Sequence, residues 1–234
     1  MIIVSIIVPA YNEQNTILRV LEKISAQSFD GISFEVIVVD DGSTDETQKL
    51  VSSRPDLYRH FIVRAANGGK GAALKDGLNA ATGDYILIQD ADLEYDPSDY
   101  NRLFKPIVLH EADVVMGSRF VAPEMTRVFY FTHKIGNLLI TLMFNLLNNT
   151  TFTDLYCGYL VYRRTLLDPN SLRTRGWQQH AEMISRVVRA APATYEVPVS
   201  YHGRTYGEGK KIRAHHMFSI ITTIVSERFR SHRQ

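Results

Sequence analysis

Short apolar runs alternate with segments of helical periodicity through the first half of the chain, and each run ends in polar residues or glycine. Runs that are apolar on both faces are typical of strands buried between helices in a parallel sheet. We predict strands at 2–8, 34–39, 60–63, 85–88 and 112–116. Helices are predicted at 15–25, 72–80 and 98–109, and another is predicted to be capped by Ser43 or Thr44, with Glu46 in its first turn. This alternation indicates βαβ units with right-handed crossovers.

Longer amphipathic segments follow from Arg119 onward. The segment 128–148 is apolar, with polar residues recurring at helical spacing. It fits equally well a core helix that covers the sheet and an interfacial helix whose Arg127, His133 and Lys134 face anionic headgroups. Further strands are predicted at 159–162 and 194–199, and helices at 178–190 and 212–229. The predicted fold class is α/β: a single domain, 1–234, with a Rossmann-like, mainly parallel sheet, helices on both faces and C-terminal amphipathic helices.

The strand at 85–88 leads directly into three acidic residues, Asp90, Asp92 and Glu94. Alternation places their side chains on a common side of the chain if it stays extended, and three crowded carboxylates repel one another. A hard divalent cation with oxygen ligands would offset that repulsion, and ligands of open α/β sheets bind beyond the carboxyl ends of the strands. An acidic loop that merely caps the strand is an equally weighted interpretation.

Composition narrows the classes of function. The chain of 234 residues is 45% apolar and 22% charged, as expected of a globular protein with a sizeable core. A net charge of +1 argues against a general nucleic-acid binder. The single cysteine, Cys157, allows no intrachain disulfide and is compatible with a reducing compartment. The start lacks the basic region of a signal peptide, and no apolar run is long enough to span a bilayer, so we expect neither feature.

The glycine-rich stretch 67–71 precedes the helix predicted at 72–80. Its spacing matches neither a Walker loop nor a dinucleotide fingerprint. We interpret it as a tight turn that lets the helix pack close to the sheet, in preference to a direct phosphate contact.

Basic residues far along the chain complement the acidic stretch. Seven Lys and Arg stand against two Glu from Arg204 onward, which fits a solvated tail or attraction to anionic lipid. If the carboxylates hold a metal that bridges a diphosphate, then Arg119, Arg204 and Lys210 would bind the remaining phosphate oxygens. Arg204 and Lys210 lie among glycines, as in a lid that orders over a ligand. Asp41 and Glu13, which follow other strands, would accept hydrogen bonds from a base or ribose.

Ordered motifs make a family resemblance specific. They are Ile-Ile-Val-Pro-Ala-Tyr-Asn-Glu (6–13), Val-Val-Asp-Asp-Gly-Ser-Thr-Asp (38–45), Asn-Gly-Gly-Lys-Gly-Ala-Ala (67–73), Gln-Asp-Ala-Asp-Leu-Glu-Tyr-Asp-Pro (89–97) and Gly-Ser-Arg (117–119). Together they resemble the family-two glycosyltransferases of the GT-A fold. Gly-Ser-Arg and the late Arg-Thr-Tyr-Gly-Glu-Gly-Lys-Lys (204–211) are similar to the dolichol-phosphate mannose synthase branch, whose members are polyprenyl-phosphate glycosyltransferases. The resemblance covers nearly the whole chain.

The resemblance implies roles on the donor side, in a nucleotide-sugar-binding half of residues 1–118. A GDP- or UDP-sugar would be the donor. The implied nucleoside pocket consists of Pro9, Tyr11, Glu13, Val39 and Asp41. Asp90, Ala91 and Asp92 would contact the nucleotide-sugar, and Asp92 with Glu94 would bind Mg²⁺ or Mn²⁺. Arg204 and Lys210 would hold the donor diphosphate.

The resemblance also implies an acceptor-binding half with interfacial helices, residues 119–234. Arg119 would bind the acceptor phosphate, and Arg127 and Lys134 would guide it inward from the membrane. The acceptor would be a dolichyl or undecaprenyl phosphate, and the protein would work peripherally at the cytoplasmic face of a membrane. Two departures bear on the sugar: Glu94 stands where mannose synthases often have Gln, and the stretch 176–182 differs, so neither the sugar nor the base is predicted.

The expected mechanism is direct displacement with inversion. A phosphate acceptor is already ionised and needs no strong base, so Asp90, Asp92 and Arg119 would serve alignment and charge neutralisation. Asp154 is kept as a possible base or sugar contact, beside the interpretation that it is a structural turn residue. It would be needed as a base if the acceptor were instead a saccharide hydroxyl, as in polysaccharide or glycoprotein synthesis.

Two further classes of protein are compatible with a doubly wound sheet and a nucleotide site. One is a nucleotidyltransferase that makes the activated sugar, which is disfavoured because residues 9–16 contain no Lys or Arg. The second is a non-catalytic nucleotide-sugar-binding protein, against which the presence of Asp90, Asp92, Arg204 and Lys210 argues.

Overall fold

The computed structural model describes residues 1–121, 131–174, 176, 178–203 and 216–230, apart from the side chains of His133 and His216. The strands are β1 (Ile2–Ala10), β2 (Ile32–Asp40), β3 (His60–Val63), β4 (Tyr85–Ile88), β5 (Val114–Ser118), β6 (Leu160–Arg163) and β7 (Thr194–Pro198). The helices are α1 (Ile17–Ser25), α2 (Thr47–Ser52), α3 (Lys70–Ala80), α4 (Tyr100–His110), α5 (Phe131–Asn148), α6 (Gln178–Ala190) and α7 (His216–Phe229).

All seven strands form one sheet in the order β3-β2-β1-β4-β6-β5-β7. Neighbours pair in parallel, except that β6 runs antiparallel to both β4 and β5. Ile7 of β1 lies between Ile37 of β2 and Ile88 of β4, so these three strands end at the same edge of the sheet. The predicted mainly parallel α/β architecture is confirmed, and strands from both halves of the chain share the sheet.

The sheet is covered on both faces, which explains why its strands read as continuous apolar runs. Every residue of β4 is buried. One core contains apolar side chains of α1, α2 and α4, such as Leu21 and Phe104. The opposite core contains those of α3, α5, α6 and α7, such as Leu78, Phe144 and Ile184. Burial of each such side chain contributes about 1.5–3 kcal/mol.

One predicted helix start is wrong. α2 begins at Thr47, with Glu46 at its N-cap position, rather than after a cap at Ser43 or Thr44. The amide N–H of Asn12 donates to Ser43 Oγ (3.0 Å), and the amide N–H of Thr44 donates to Asn12 Oδ1 (2.8 Å). Residues 43 and 44 are therefore used to join the loops that follow β1 and β2, because their short polar side chains bond another loop instead of a helix end.

Two helix glycines differ in the space around them. A Cβ at Gly77 in α3 would lie 2.5 Å from Cγ2 of the fully buried Ile7, whereas a Cβ at Gly136 in α5 would meet only Met217 Sδ, at 3.7 Å. Gly77→Ala should lower the free energy of unfolding by about 1–3 kcal/mol through overpacking. The matched Gly136→Ala should raise it by roughly 0.5–1 kcal/mol through helix propensity. Urea unfolding measures both, and a gain for Gly77→Ala would contradict close packing of α3 on β1.

Candidate active site

A cleft of about 450 Å³ opens at the sheet edge where β1, β2, β4 and β5 end. Its walls consist of the residues that end or follow these strands, the start of α3, the turn before β6, the start of α6 and the segment after β7. Of the predicted site residues, the following line the cleft: Pro9, Tyr11, Glu13, Asp41, Asp90, Ala91, Asp92, Glu94 and Arg119. The structure therefore brings together side chains that are far apart in sequence, such as those of Pro9 and Arg119.

Val39 has a different place from its predicted partners. It is fully buried in β2, and its Cγ2 lies 3.2 Å from the position of a Cβ at Gly77, so its side chain faces α3. The side chain of Val39 therefore does not line the cleft, and a contact of Val39 with the nucleoside stays a prediction. Alternation along β2 explains the outcome, because neighbouring strand residues point to opposite faces.

Asp41 holds the glycine-rich turn against the end of β2. Its carboxylate is buried and accepts hydrogen bonds from the amides of Gly68 (2.9 Å) and Gly69 (2.8 Å) and from Arg64 Nη1 (2.5 Å). The close approach requires Gly42, which has φ +70°, since a Cβ there would lie 2.8 Å from the Ala66 carbonyl carbon. Asp41 therefore fixes where α3 begins.

Lys70 is a cleft residue that sequence reasoning left without a role. It is the first residue of α3, and its ammonium forms an ion pair with the carboxylate of Asp90 at the end of β4. The interpretation of stretch 67–71 as a structural turn explains the backbone but omits this side chain. The available signal was that a lysine followed a glycine turn at the same sheet edge as the acidic stretch.

Gln89 organises the acidic loop that follows β4. It is fully buried; its amide group donates to the carbonyls of Asp90 (3.0 Å) and Tyr95 (3.3 Å), and its Oε1 accepts from Tyr100 (2.9 Å) and Tyr159 (2.8 Å). Both N–H donors and both acceptor sites of the side-chain amide are thus used, and they tie the loop to the core. The conformation of the loop is therefore fixed by buried hydrogen bonds of Gln89 and does not depend on a ligand.

Asp92 and Glu94 lie on this loop with their carboxylates at the cleft. Asp92 Oδ1 accepts from the amide of Glu94 (3.0 Å), and Glu94 Oε2 accepts from the hydroxyl of Tyr201 (2.8 Å). Within the described ranges, no three His, Cys, Asp or Glu side chains form a metal centre. Two carboxylates suit Mg²⁺ or Mn²⁺ when phosphate oxygens supply further ligands, so the residues fit a metal held jointly with a diphosphate.

Arg119 follows β5 and is held at the cleft by a fully buried carboxylate. Its Nε and Nη2 donate to Asp154 Oδ2 (2.6 Å) and Oδ1 (2.7 Å), and Nη2 also donates to the Tyr156 carbonyl (3.2 Å). Its guanidinium lies 5.0 Å from the ring centroid of Tyr201. Burial lowers the pKa of Arg119, but the charge of Asp154 and the hydrogen bonds to it outweigh burial and raise the pKa overall, so Arg119 stays cationic.

Asp154 lies behind Arg119 rather than at the cleft. It has no exposed surface, and besides Arg119 its carboxylate accepts from Asn137 Nδ2 of α5 (2.8 Å). Glu196 of β7 accepts from the amides of Thr153 (2.9 Å) and Asp154 (3.2 Å), which fixes the turn. A base must reach the proton that it removes, so this geometry disagrees with the predicted catalytic role of Asp154 and favours the structural one.

The remaining predicted phosphate ligands divide into two groups. Arg127, Arg204 and Lys210 lie outside the described residues. Lys134 is exposed on α5, and its ammonium lies 5.5 Å from the ring centroid of Phe120. Lys134 therefore lies on the outer surface of α5 and does not line the cleft.

His180, in the first turn of α6, also lines the cleft and had no predicted role. Its Nε2 lies 2.9 Å from the carbonyl oxygen of Leu155, and a carbonyl only accepts, so Nε2 carries the proton. Burial and the nearby charge of Lys70 lower the pKa of His180 to about 4. The ring is therefore neutral near neutral pH.

The site now has a defined class. A mainly parallel α/β sheet with carboxylates and cations around one cleft at its carboxyl edge is typical of nucleotide-binding α/β enzymes. Residues 5–169 match the model of Glycosyl transferase family 2, so the chain belongs to this family. The family resemblance predicted from the motifs is confirmed.

Curated relatives are similar to most of this chain but are longer. Glycosyltransferase AglJ of Haloferax volcanii is 29% identical over 87% of the chain, which covers 64% of AglJ. Undecaprenyl-phosphate 4-deoxy-4-formamido-L-arabinose transferase of Proteus mirabilis is 26% identical over 88% of the chain, which covers 62% of that protein. The chain thus spans less than two thirds of these relatives.

Solved structures support the fold. Glucosyl-3-phosphoglycerate synthase from Mycobacterium tuberculosis, crystallised with Mn²⁺, UDP-glucose and phosphoglyceric acid, has a TM-score of 0.68 at 22% identity; the match covers 97% of this chain and 80% of that one. Staphylococcus aureus TarS in complex with UDP-GlcNAc has a TM-score of 0.65 at 19% identity, over 96% and 66% of the two chains. The predicted GT-A architecture is confirmed at the level of the fold.

The Arg119–Asp154 pair should dominate local stability. Asp154→Asn keeps the shape of the side chain but leaves a buried guanidinium without its counter-charge, so we expect a loss of about 3–5 kcal/mol in the free energy of unfolding. Arg119→Met combined with Asp154→Asn should cost less than the sum of the single changes, because both halves of the pair are then removed. Urea unfolding of the four proteins gives the coupling energy, and strict additivity would contradict the pair.

His180 should make stability fall in mild acid. Above pH 6.5 the imidazole is neutral in both folded and unfolded chains; between pH 6.5 and about 4 only the unfolded chain binds the proton. His180 therefore lowers the free energy of unfolding by about 1.4 kcal/mol per pH unit across this window. Urea unfolding at pH 7 and 4.5 should show a smaller acid loss for His180→Gln than for the unaltered protein. Equal losses would show that His180 is protonated in the fold.

Proposed function

We propose that this protein transfers a sugar from a GDP- or UDP-sugar to a polyprenyl phosphate, with inversion and in a metal-dependent reaction. The observation that carries the proposal is the link between α5 and the cleft: Asn137 of α5 bonds Asp154, which holds Arg119 at the cleft wall. A helix with an exposed apolar face is thereby attached to the cation best placed for an acceptor phosphate. The undecaprenyl-phosphate transferase of Proteus mirabilis supports the same acceptor class.

The donor is proposed to lie along the strand ends from β2 to β4. Pro9, Tyr11, Glu13 and Asp41 form the wall at β1 and β2, where a nucleoside fits. Asp90, Ala91 and Asp92 follow β4, where the diphosphate and sugar would begin. The complexes of structural neighbours with UDP-glucose and UDP-GlcNAc support a nucleotide-sugar in this place.

Asp92 and Glu94 are proposed to hold Mg²⁺ or Mn²⁺ together with the donor diphosphate, and the cation would supply charge neutralisation there. Their carboxylate oxygens are suitable ligands, and the neighbouring synthase binds Mn²⁺ with UDP-glucose. Lys70 balances the third carboxylate, Asp90, so the loop does not gather three uncompensated charges.

The proposed reaction is a direct displacement. An acceptor phosphate oxygen forms a bond to the anomeric carbon, the bond to the donor β-phosphate oxygen breaks, and its electron pair leaves with the nucleoside diphosphate. A phosphate acceptor is ionised near neutral pH, so no residue needs to remove a proton. This agrees with the burial of Asp154, which keeps the base predicted for a saccharide hydroxyl acceptor away from the cleft. Arg119 holds the acceptor phosphate in line, which is the main demand on this chemistry.

We propose that the protein binds a membrane surface peripherally, at the cytoplasmic face, through one stripe of α5. The exposed apolar residues of this stripe are Phe131, Ile135, Leu138, Leu139, Leu142 and Leu146. They recur at helical spacing opposite the buried Asn137, Ile140 and Phe144. Among the described helices, none is long and apolar enough to span a bilayer. The buried face of α5 fits the core-helix interpretation, and the exposed face supports the proposed interfacial one.

A donor screen tests the function. UDP- and GDP-sugars are incubated with a short-chain polyprenyl phosphate and Mg²⁺ or Mn²⁺, and lipid-linked sugar is measured by mass spectrometry, with its anomeric configuration from NMR. We expect an inverted product, lost with a chelator and reduced about 10²–10³-fold by Asp92→Asn. The matched Asp56→Asn, at an exposed residue paired with Arg54, should leave turnover unchanged. Transfer only to saccharide hydroxyls would overturn the acceptor, and no transfer from any donor would overturn the activity.

Vesicle flotation tests the membrane surface. Leu138→Asp with Leu142→Asp places two charges in the apolar stripe, so binding to anionic vesicles should be lost at physiological salt. The control combines Val108→Asp with Leu109→Asp, which adds the same charges at exposed apolar residues of α4. We expect the control to float with the vesicles as the unaltered protein does. Equal flotation of all three proteins would contradict docking through α5.

A further inference from the structure

One part of the cleft wall is not used by the nucleoside, diphosphate or acceptor contacts proposed above. It is formed by the first two turns of α6, where Gln179, His180 and Met183 line the cleft. This wall lies beside Lys70 and Asp90, whose charges both act on His180. If the proposed function holds, on which this inference rests, the transferred sugar lies between the donor carboxylates and Arg119, and the α6 wall faces it.

Gln179 anchors this wall to the donor side of the cleft. It is 2% exposed, and its Nε2 donates to the carbonyls of Gly71 (3.0 Å) and Thr174 (3.1 Å). The first bond joins the start of α6 to the start of α3, one residue from Lys70. Gln179 Oε1 is buried without a hydrogen-bond partner among the described residues. This oxygen is therefore available to accept a hydrogen bond from a bound molecule.

His180 is held in one orientation and one tautomer. Its Nε2–H donates to the Leu155 carbonyl (2.9 Å), and the ring lies 5.3 Å from the ring of Tyr156. Nδ1 therefore keeps a lone pair, and none of the described residues donates a hydrogen bond to it. The lowered pKa of His180 keeps this lone pair free of a proton near neutral pH.

We propose that Nδ1 of His180 accepts a hydrogen bond from a hydroxyl group of the donor sugar. The chemistry of the wall favours this ligand: Nδ1 is a neutral acceptor, and the neighbouring ammonium of Lys70 disfavours a cationic amino group. His180 is thus a specificity-determining residue. A sugar with a hydroxyl at this position is preferred over its deoxy analogue, because the analogue leaves a desolvated acceptor unpaired.

Two substitutions separate sugar recognition from a structural role. His180→Gln can keep an N–H near the position of Nε2, and thus the bond to Leu155, but it removes the acceptor at Nδ1. His180→Asn does the opposite, because its Oδ1 can occupy the place of Nδ1 while the donor to Leu155 is lost. A merely structural histidine would tolerate Gln better than Asn, whereas a sugar contact would tolerate Asn better than Gln.

Calorimetry without acceptor provides the readout. Dissociation constants are measured with Mn²⁺ for UDP-glucose against UDP and for GDP-mannose against GDP. For the pair in which the unaltered protein prefers the nucleotide-sugar, His180→Gln should weaken nucleotide-sugar binding roughly 5- to 10-fold and nucleoside diphosphate binding less than about twofold. His180→Asn should retain most of the preference.

Different results would contradict the sugar contact and the proposed function. Loss of the preference with Asn but not with Gln, or equal weakening of both ligands, would overturn the sugar contact and leave the glycosyltransferase proposal standing. A protein that binds the nucleotide-sugars no more tightly than the nucleoside diphosphates would also overturn it. Absence of all binding, to nucleotide-sugars and nucleoside diphosphates alike, would instead overturn the proposed function.

Discussion

A buried ion pair, Arg119 with Asp154, is the constraint on which the cleft wall at the end of β5 depends. Removing both charges from water is costly, and the cost is offset only by the two short parallel hydrogen bonds and by the further donors from the Arg119 amide (3.0 Å) and Asn137. Those donors come from the end of β5 and from α5. The pair therefore fixes a surface helix, a strand end and a loop in one arrangement, and a cation faces the cleft as a result.

The cleft wall at the ends of β2 and β4 is held together by carboxylates that bind backbone amides and an ammonium group. Asp41 binds backbone amides of the glycine turn, and Lys70 at the end of that turn pairs with Asp90 across the cleft. Each carboxylate thus determines the position of the next cation. Asp92 and Glu94 lie on the same loop as Asp90, which Gln89 ties to the core, and their acidity suits a ligand that brings its own positive charge.

Much of this fold follows from local patterns. β3, β4 and α6 have the predicted bounds because turn residues delimit each apolar run. The start of α2 could not be predicted from local patterns. Ser43 and Thr44 form hydrogen bonds with Asn12, thirty-odd positions earlier, and a contact over that distance leaves no local sequence pattern. Charged residues after strands identified one edge of the sheet as the site. The burial of Asp154 and the roles of Lys70 and His180 depend on distant partners, so they required the structure.

The antiparallel strand β6 has a consequence for the size of the site. It lies between β4, which is followed by Asp90 and Asp92, and β5, which is followed by Arg119. Two strand spacings amount to about 10 Å. Gly158, in the turn before β6, has no room for a side chain, because a Cβ there would lie 2.6 Å from Tyr95 Cε2 and 3.1 Å from Asp90 Oδ2. The backbone hydrogen bonds of β6 to both neighbours, and not any particular side chain, thus set the distance between the ends of β4 and β5 at the cleft.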